Sequence, residues 1–461
     1  MSDMKDKLKA LTEKLGLKTG AEVAQGKIAK PPVASGPVTD SREMLRDLTA
    51  RLNLRTGSQW VAQHEEVQAR REAGEFEVDK IIPGELLGGE ECRFFLVRRD
   101  FPLEHRQGNL ELGEALQASS KHVALSAADP DLLDFDPRTA LFMDTETTGL
   151  AGGTGTVAFL VGVGYFAGDC FRLDQCFMRD YDDEGPMLAF LDERFRECGT
   201  VVGYNSKCFD LPLLRTRFIQ NRLPFRLEAR PHYDLVHAAR RFWKRRLSDC
   251  SLGNIEREVL GIRRHGDVPG YLIPQLWLDY LNSRDARPLE SVFYHHRMDI
   301  LSLVALTAWL SQCLESTGSG FEHTEDQLSL VRVHFNQKNY VEVVRHARTY
   351  LESGSGGPLR RECLEMLGLA HKRLQEFPAM QETLELQVQE FPSDLSARLE
   401  LAKLHEHRTR NLFEAERICA EAISQAGNTR EANLLVEALH RRLERIQKKL
   451  RRAGTGECAD D

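Results

Sequence analysis

The spacing of hydrophobic and polar positions changes along the chain. In residues 8–20 and again in residues 45–57, apolar residues recur at i, i+3 and i+7, which predicts two short amphipathic helices that each end near a glycine. Both segments follow the pattern Leu-x-x-Leu-Thr-x-x-Leu-x-Leu-x-Thr-Gly. We assign residues 1–80 to an N-terminal extension that carries this duplicated motif. Either the two helices pack on the protein's own body, or they bind a partner in helix-in-groove fashion.

The middle of the chain has the pattern of an α/β domain. Apolar runs predict buried strands, and longer amphipathic or apolar segments predict helices, including residues 187–196 and 289–310. The strands first follow one another and then alternate with helices, at residues 139–143, 157–166, 170–178 and 200–204. This order predicts a mixed five-stranded sheet with flanking helices in a domain at residues 136–315. A further strand, at residues 92–99, falls in an accessory segment at residues 81–135 and has no assigned role.

The last third of the chain shows only helical patterns. Helix–turn–helix junctions are predicted near Asn339, Glu376 and Asn411, at roughly the tetratricopeptide period. We therefore predict an all-α domain of two or three tetratricopeptide-like repeats at residues 325–445, followed by a tail at residues 446–461. A plain helical bundle is the alternative.

The composition indicates the general class of protein but not the reaction, if any, that it catalyses. With 41% hydrophobic and 29% charged residues, the chain has the composition of a globular protein. The beginning of the sequence is charged, and we expect no apolar stretch long enough to span a bilayer, which predicts a cytoplasmic protein without a membrane partner. The ten cysteines form no Cys-x-x-Cys pairs, which argues for reduced thiols and against a structural zinc site. Because the net charge is −8, any contact with nucleic acid must come from a local basic patch.

Two carboxylates end the first strand of the middle domain. Asp144 and Glu146 are two residues apart on a strand, so they share a face about 7 Å apart. That spacing suits two divalent metals ~4 Å apart, as used for phosphoryl displacement. Taken alone, an Asp-x-Glu pair is more commonly a solvated feature of an edge strand.

The longer string Asp144-Thr-Glu146-Thr-Thr-Gly-Leu resembles the first motif of the DnaQ-like (DEDD) exonucleases, in which the two acids are metal ligands. The resemblance implies a second motif about sixty residues further on, and the segment from Tyr204 to Asp210 fits it. It also implies a third motif on a helix, which His295 and Asp299 fit at i and i+4. The implied metal ligands and catalytic acids are Asp144, Glu146, Asp210 and Asp299.

His295 is the predicted general base, since an imidazole titrates near the working pH and shares a helix face with Asp299. The sequence departs here from the commonest family patterns, in which a histidine is separated from the acid by four residues and a tyrosine by three. This chain has His295 with three and Tyr294 with four. Tyr294 and His296 therefore remain alternatives.

Two groups of residues are candidates for contact with nucleic acid. The motif loops contribute Thr147, Gly153, Asn205 and Lys207. The basic and aromatic stretch at residues 240–246 contributes Arg241, Trp243 and Lys244, where cations can follow phosphates while an aromatic ring stacks on a base. The alternative for this stretch is an amphipathic helix with core aromatics and a solvated basic face. Asp234 lies between the motifs and is predicted to have a structural role.

Over residues 140–310 the chain is similar to the YprB family of bacterial ribonuclease H-like exonucleases. The resemblance is carried by the glycine-rich run at residues 151–164, the His-x-x-x-Asp ending and the helical-repeat tail. It implies a 3′→5′ exonuclease that uses two Mg²⁺ or Mn²⁺ ions, with DNA favoured over RNA. It also implies a role in DNA repair, with a partner such as a helicase bound through the repeats or the N-terminal motif. The alternative function is a catalytically silent nucleic-acid-binding adaptor.

Overall fold

The computed structural model describes residues 74–89, 93–149, 155–315, 320–354, 356–427 and 430–454. All of them belong to one compact unit, residues 68–461. The predicted duplicated motif and Gly153 lie outside the described residues.

The centre of the fold is a mixed sheet of seven strands. Its strands are β1 (Glu85–Gly88), β2 (Arg93–Pro102), β5 (Ala140–Thr147), β6 (Ala158–Ala167), β7 (Cys170–Phe177), β8 (Thr200–Gly203) and β9 (His232–Asp234). They lie in the order β1-β2-β7-β6-β5-β8-β9, while β3 (Arg106–Gln107) and β4 (Leu110–Glu111) form a separate hairpin. The β5–β8 and β8–β9 pairs are parallel and the others are antiparallel.

The sheet is thus larger than the five strands predicted. The strand predicted near residues 92–99 is β2, which pairs with β7 from Phe95 to Pro102. Its four consecutive buried residues, 94–97, are covered on both faces, as expected for an internal strand. The accessory segment therefore supplies part of the sheet of the central domain.

In the described part of the chain, eight α-helices flank the sheet or its connections: α1 (Val78–Ile81), α2 (Ser120–Ala127), α3 (Glu184–Glu197), α4 (Asp210–Gln220), α5 (Leu235–Trp243), α6 (Leu252–Ile255), α7 (Ile273–Ser283) and α8 (Leu289–Glu315). Successive side chains of β5 point to opposite faces, so Phe142 and Met143 lie in different hydrophobic clusters, one on each side of the sheet. On the second side, Trp277 stacks on Phe159 with ring centroids 4.9 Å apart.

Helix α8 is the core helix of this domain. Within the described part of the chain it is the one helix long and apolar enough to cross a membrane, but 72% of its apolar window is buried in the protein, so this is weak evidence for a span. It approaches β6 closely at Gly162, where an added Cβ would lie 2.4 Å from His296 Cε1 and 2.2 Å from Ile300 Cδ1. Gly162 pairs with Asp144 on β5, so the absence of a side chain brings α8 to the first acidic motif.

The remaining described residues form an all-helical region with seven α-helices: α9 (Thr324–Asn336), α10 (Tyr340–Glu352), α11 (Gly357–Leu374), α12 (Phe377–Glu390), α13 (Leu395–Leu404), α14 (Leu412–Ser424) and α15 (Arg430–Gly454). Each helix packs on its neighbour in sequence, and α9 also packs on α5 and α2. Three of the helices begin directly after the predicted junctions at Asn339, Glu376 and Asn411. The helical character agrees with the sequence prediction, whereas the assignment to tetratricopeptide-like repeats stays a prediction.

Candidate active site

The first acidic motif lies on an internal strand. Asp144 and Glu146 alternate along β5 with the buried residues Thr145 and Thr147, so the two carboxylates share one face. Strand β5 is paired on both sides, with β6 and β8, which rules out solvated acids on an edge strand. The Asp144 side chain is only 21% exposed. Such burial of an acid needs compensation by hydrogen bonds or by positive charge.

Asp210 comes to the same place from a neighbouring strand. Helix α4 begins at Asp210, just after β8, which runs parallel to β5. The Thr145 hydroxyl donates a hydrogen bond to Asp210 Oδ1. Since the two motifs are joined directly by this bond, the second acidic motif is held next to the first.

Helix α8 contributes the third motif. His295 Nε2 lies 3.4 Å from Asp299 Oδ2, as their i, i+4 spacing requires. One ligand atom each from Glu146, His295 and Asp299 lies within 4.8 Å of the others. Residues far apart in sequence, on β5, α4 and α8, are thereby brought together.

The two alternative bases lie elsewhere around the helix. His296 is completely buried; its Nε2 lies 3.1 Å from the Asp144 carbonyl oxygen and its Nδ1 lies 3.0 Å from Gln175 Nε2. Burial lowers the pKa of His296 to about 4, so this ring is a neutral packing group. The Tyr294 ring packs under the Arg297 guanidinium, 5.3 Å from its centroid. His296 Nε2 also lies 3.9 Å from Asp144 Oδ2, but the ring has no exposed surface. His295 is the candidate whose ring is grouped with Glu146 and Asp299.

Three charged residues beside this site were not predicted from the sequence: Glu256, Arg264 and Asp267. Asp267 accepts a hydrogen bond from His295 Nδ1 at 2.9 Å. Arg264 contacts Asp299 and forms ion pairs with Glu256 (2.5 Å) and with Asp267 (3.2 Å). These residues line a cavity of about 430 Å³ together with His295 and Asp299. The one sequence signal was the charged run at residues 263–267, which matches no motif.

The electrostatics of the site favour added positive charge. Burial raises the pKa of Asp144 and of Glu146 well above the usual range, and repulsion from Asp299 and Asp210 raises both further. Burial also raises the pKa of Asp210 to about 6, although the Thr145 hydroxyl partly offsets this. The charge of the Arg264 guanidinium opposes the rise in the pKa values of Asp144 and Glu146. Clustered carboxylate oxygens that repel one another are the donor set that fits Mg²⁺ or Mn²⁺.

Among the candidate nucleic-acid contacts in the motif loops, Asn205 and Lys207 are held in place by Asp234. Their backbone N–H groups donate to the two Asp234 carboxylate oxygens at 2.7 and 3.0 Å, and Asp234 also caps α5. This agrees with the structural role predicted for Asp234. The Lys207 side chain is 40% exposed and lies 3.6 Å from Asp129. Thr147 is buried and its hydroxyl donates to the Gly149 carbonyl oxygen at 3.2 Å.

The stretch at residues 240–246 combines a buried and a basic face. Trp243 is only 1% exposed, so its ring cannot stack on a base, and that part of the prediction is corrected. Lys244 is exposed, while Arg241 donates to the Ser126 carbonyl oxygen at 2.9 Å. Arg241 and Lys244 line a cavity of about 510 Å³, together with Arg240, Arg245 and Arg332. The basic face is therefore retained without the aromatic contact.

Comparison with known proteins agrees with this fold. Residues 141–311 match the RNase H superfamily, which covers β5 to α8 and all four acids. The central domain is therefore ribonuclease H-like. Members of this superfamily generally act as nucleases on nucleic acid and usually use divalent metals.

The chain also has a relative that it matches over most of its length. It is 31% identical over 371 residues to the uncharacterized protein YprB of Bacillus subtilis (strain 168), an alignment that covers 78% of this chain and 87% of that protein. The chain therefore belongs to the YprB family.

Proposed function

We propose that this protein is a 3′→5′ exonuclease that hydrolyses phosphodiester bonds by a two-metal mechanism. The observation that carries the proposal is the convergence of Asp144, Glu146, Asp210 and Asp299 from β5, α4 and α8 on one buried site. Their order along the chain is that of the DEDD exonucleases. The substrate is nucleic acid, with DNA favoured over RNA, and the ions are Mg²⁺ or Mn²⁺.

In this proposal the four acids hold the ions and His295 handles the proton. The bound ions would supply an activated water and stabilise the leaving oxygen. His295 offers Nε2 toward the acids, while its Nδ1 is engaged by Asp267. A ring held in this way can accept the proton of the attacking water at Nε2.

The path of the nucleic acid is proposed from the basic residues of the motif loop and of the stretch at residues 240–246. Lys207 lies in the loop that leads into Asp210, and Arg241 and Lys244 line the basic cavity. Cations in such positions bind the backbone independently of sequence. Thr147, Asn205 and Gly153 remain candidates for contacts close to the terminal nucleotide.

The biological setting is proposed from the family resemblance. It is DNA repair or another form of nucleic-acid processing in the cytoplasm. A helicase or similar partner would bind the helical region or the N-terminal duplicated motif, and the helical region would then consist of tetratricopeptide-like repeats.

The test is digestion of DNA, RNA and hybrid oligonucleotides labelled at either end, with Mg²⁺, Mn²⁺ or EDTA. A 3′→5′ exonuclease shortens a 5′-labelled strand progressively and releases a mononucleotide first from a 3′-labelled one. EDTA should stop both reactions. Binding without cleavage under every metal condition would instead identify a catalytically silent adaptor.

A further inference from the structure

A second cluster of metal-binding side chains lies in the first helical hairpin after the central domain. His334 is on α9, and Glu342 and His346 are four residues apart on one face of α10. One ligand atom from each residue lies within 4.8 Å of the others. The two imidazole rings are nearly parallel, with centroids 5.0 Å apart and an interplanar angle of 13°.

The burial of this cluster is unusual for polar side chains. His334 is 6% exposed and His346 is 5% exposed. Among the described residues, no hydrogen-bond partner is found for the buried Nδ1 of His334. Buried polar side-chain atoms nearly always have a partner, so an exception asks for an explanation such as a bound ion.

A cation already occupies the edge of the cluster. The Arg345 guanidinium contacts the Glu342 carboxylate and lies 3.3 Å from His346 Nε2. The Arg345 side chain is 49% exposed, so it can turn into solvent without loss of core packing. The cluster therefore attracts positive charge, and a metal ion can displace the Arg345 guanidinium that now supplies it.

We propose that His334, Glu342 and His346 form a Zn²⁺ site, with water as the fourth ligand. Two imidazoles and one carboxylate are donors that zinc accepts in tetrahedral geometry. Ligand atoms at zinc lie roughly 3.4 Å apart for bonds of about 2.1 Å, so small side-chain rotations close the cluster around the ion. The absence of Cys-x-x-Cys pairs argued against structural zinc, but this ligand set contains no cysteine.

The position of the site gives it a structural role that goes beyond the proposed nuclease activity. An ion there would join α9 to α10, next to a cavity of about 640 Å³ that is also lined by residues of α2. Gln337, at the end of α9, donates a hydrogen bond to the Leu125 carbonyl oxygen of α2 at 2.7 Å. The zinc would thus brace the hairpin that packs on the central domain, and the cavity provides its entry path.

Zinc content of the full-length protein tests the proposal. The protein is stripped with a chelator, loaded with Zn²⁺, dialysed and assayed for metal by elemental mass spectrometry. All variants carry Glu146→Gln, because Glu146, His295 and Asp299 form the other group in the described residues that could hold an ion. His334→Ala in this background is expected to hold about one equivalent less zinc than the background protein itself. Equal zinc content in the two proteins, or none in either, would overturn the proposal.

Matched variants separate an ion site from an ordinary ion-pair network. His323→Ala removes an exposed histidine just before α9 and should leave the zinc content unchanged. Arg345→Gln removes the competing guanidinium, so zinc should bind at least as tightly. Loss of zinc from Arg345→Gln, or from His323→Ala, would contradict the assignment.

Thermal denaturation gives a second readout, because a ligand that binds only the folded state raises the melting temperature. Zn²⁺ should raise it for the Glu146→Gln protein but not after His334→Ala. Should His334→Ala fail to fold, Glu342→Gln takes its place, since Glu342 is less buried. An identical zinc-induced shift in the ligand variants would overturn the proposal whatever the nuclease assay shows.

Discussion

Buried carboxylates in two regions of this protein differ in the charges that surround them. In the helical region, Glu406 has a fully buried side chain surrounded by Arg442, Arg445 and Lys449, with contacts of 2.8 Å and 2.7 Å to the last two. Burial alone would raise the pKa of Glu406, but the hydrogen bonds from Arg445 and Lys449 and the charge of Arg442 lower it to about 2. This carboxylate is ionised and its charge is balanced within the fold.

In the central domain the balance is reversed. Asp144 and Glu146 are surrounded mainly by other acids, and their pKa values are raised by burial and by mutual repulsion. A buried carboxylate whose charge is balanced by neighbouring cations is compatible with a stable fold. An unbalanced group of buried carboxylates is destabilising until a cation binds to it. The comparison teaches that the degree of compensation, and not burial, separates a structural acid from a functional one.

The largest expected effect is loss of hydrolysis on removing one acid of the unbalanced group. Asp144→Asn should lower the single-turnover rate by about 10³-fold or more, because metal coordination contributes several kcal/mol to the transition state. The fold should persist, as judged by circular dichroism. Asp169→Asn is the matched control, since it makes the same change at an exposed turn between β6 and β7. Wild-type rates for a folded Asp144→Asn protein would remove Asp144 from the site.

The second largest expected effect is the loss of rate on replacing the proposed general base, His295. His295→Ala should lower the single-turnover rate at saturating Mn²⁺ by roughly 10²–10⁴-fold, as is typical for loss of a general base. Tyr294→Phe keeps the ring and should cost little. If Tyr294→Phe is the crippled variant and His295→Ala the mild one, the tyrosine is the base.

Asp267 should have a smaller effect, because it acts through His295. Asp267→Asn should lower the rate by about 10–100-fold, the range seen for groups that orient a functional side chain. Asp267→Glu should restore part of the rate, because a carboxylate can again accept the hydrogen bond from His295 Nδ1. Failure of Asp267→Glu to restore any rate would assign Asp267 to structure alone.

Removing the charge of Glu406 should lower the stability of the fold and leave catalysis unchanged. Glu406→Gln leaves three cations without their partner and should cost roughly 2–3 kcal/mol of unfolding free energy. Solvent limits this loss, since the Arg445 and Lys449 side chains are 46% and 42% exposed. The measurement is chemical denaturation. Glu414→Gln, at an exposed pair with Arg417, is the control and should stay within about 0.5 kcal/mol of wild type.

The smallest expected effect is a difference between Asp210→Asn and Glu406→Gln in how their stability depends on pH, measured as melting temperature in EDTA. The folded pKa of Asp210, about 6, lies above its ordinary value of 3.8, so the stability linked to its protonation is lost as pH rises through 6. Asp210→Asn should therefore gain stability over wild type between pH 4 and 6, and then level off. The Glu406 deficit should be constant from pH 5 to 8, since its folded pKa is about 2 and the ordinary value is 4.5. Parallel curves for the two variants would contradict the comparison.

The acids of the candidate site could be predicted because each lies in a local motif on a regular element. Asp144 and Glu146 end an apolar strand, Asp210 begins a helix and Asp299 follows a helical period. Local periodicity determines which side chains share a face, and it also separated His295 from His296.

The residues that were missed or misread depend on tertiary contacts. Arg264 and Asp267 lie in an irregular segment, and their approach to α8 has no local pattern. Trp243 belongs to an amphipathic helix whose apolar face looks the same in sequence whether it is buried or offered to a base. The short strands β1 and β9 have four and three residues, too few for a periodic signal, and exist through pairing with their neighbours.

The order of the acids along the chain has a consequence for protein synthesis. Asp144, Glu146 and Asp210 all precede Asp299, which is on the last helix of the central domain. During translation, the partial chain carries three mutually repelling acids but has neither His295 nor Asp299. On the proposed function, the nascent protein therefore has no competent site until α8 has left the ribosome and packed against β5 and β6. On that proposal, the onset of activity would coincide with the packing of α8 on the sheet.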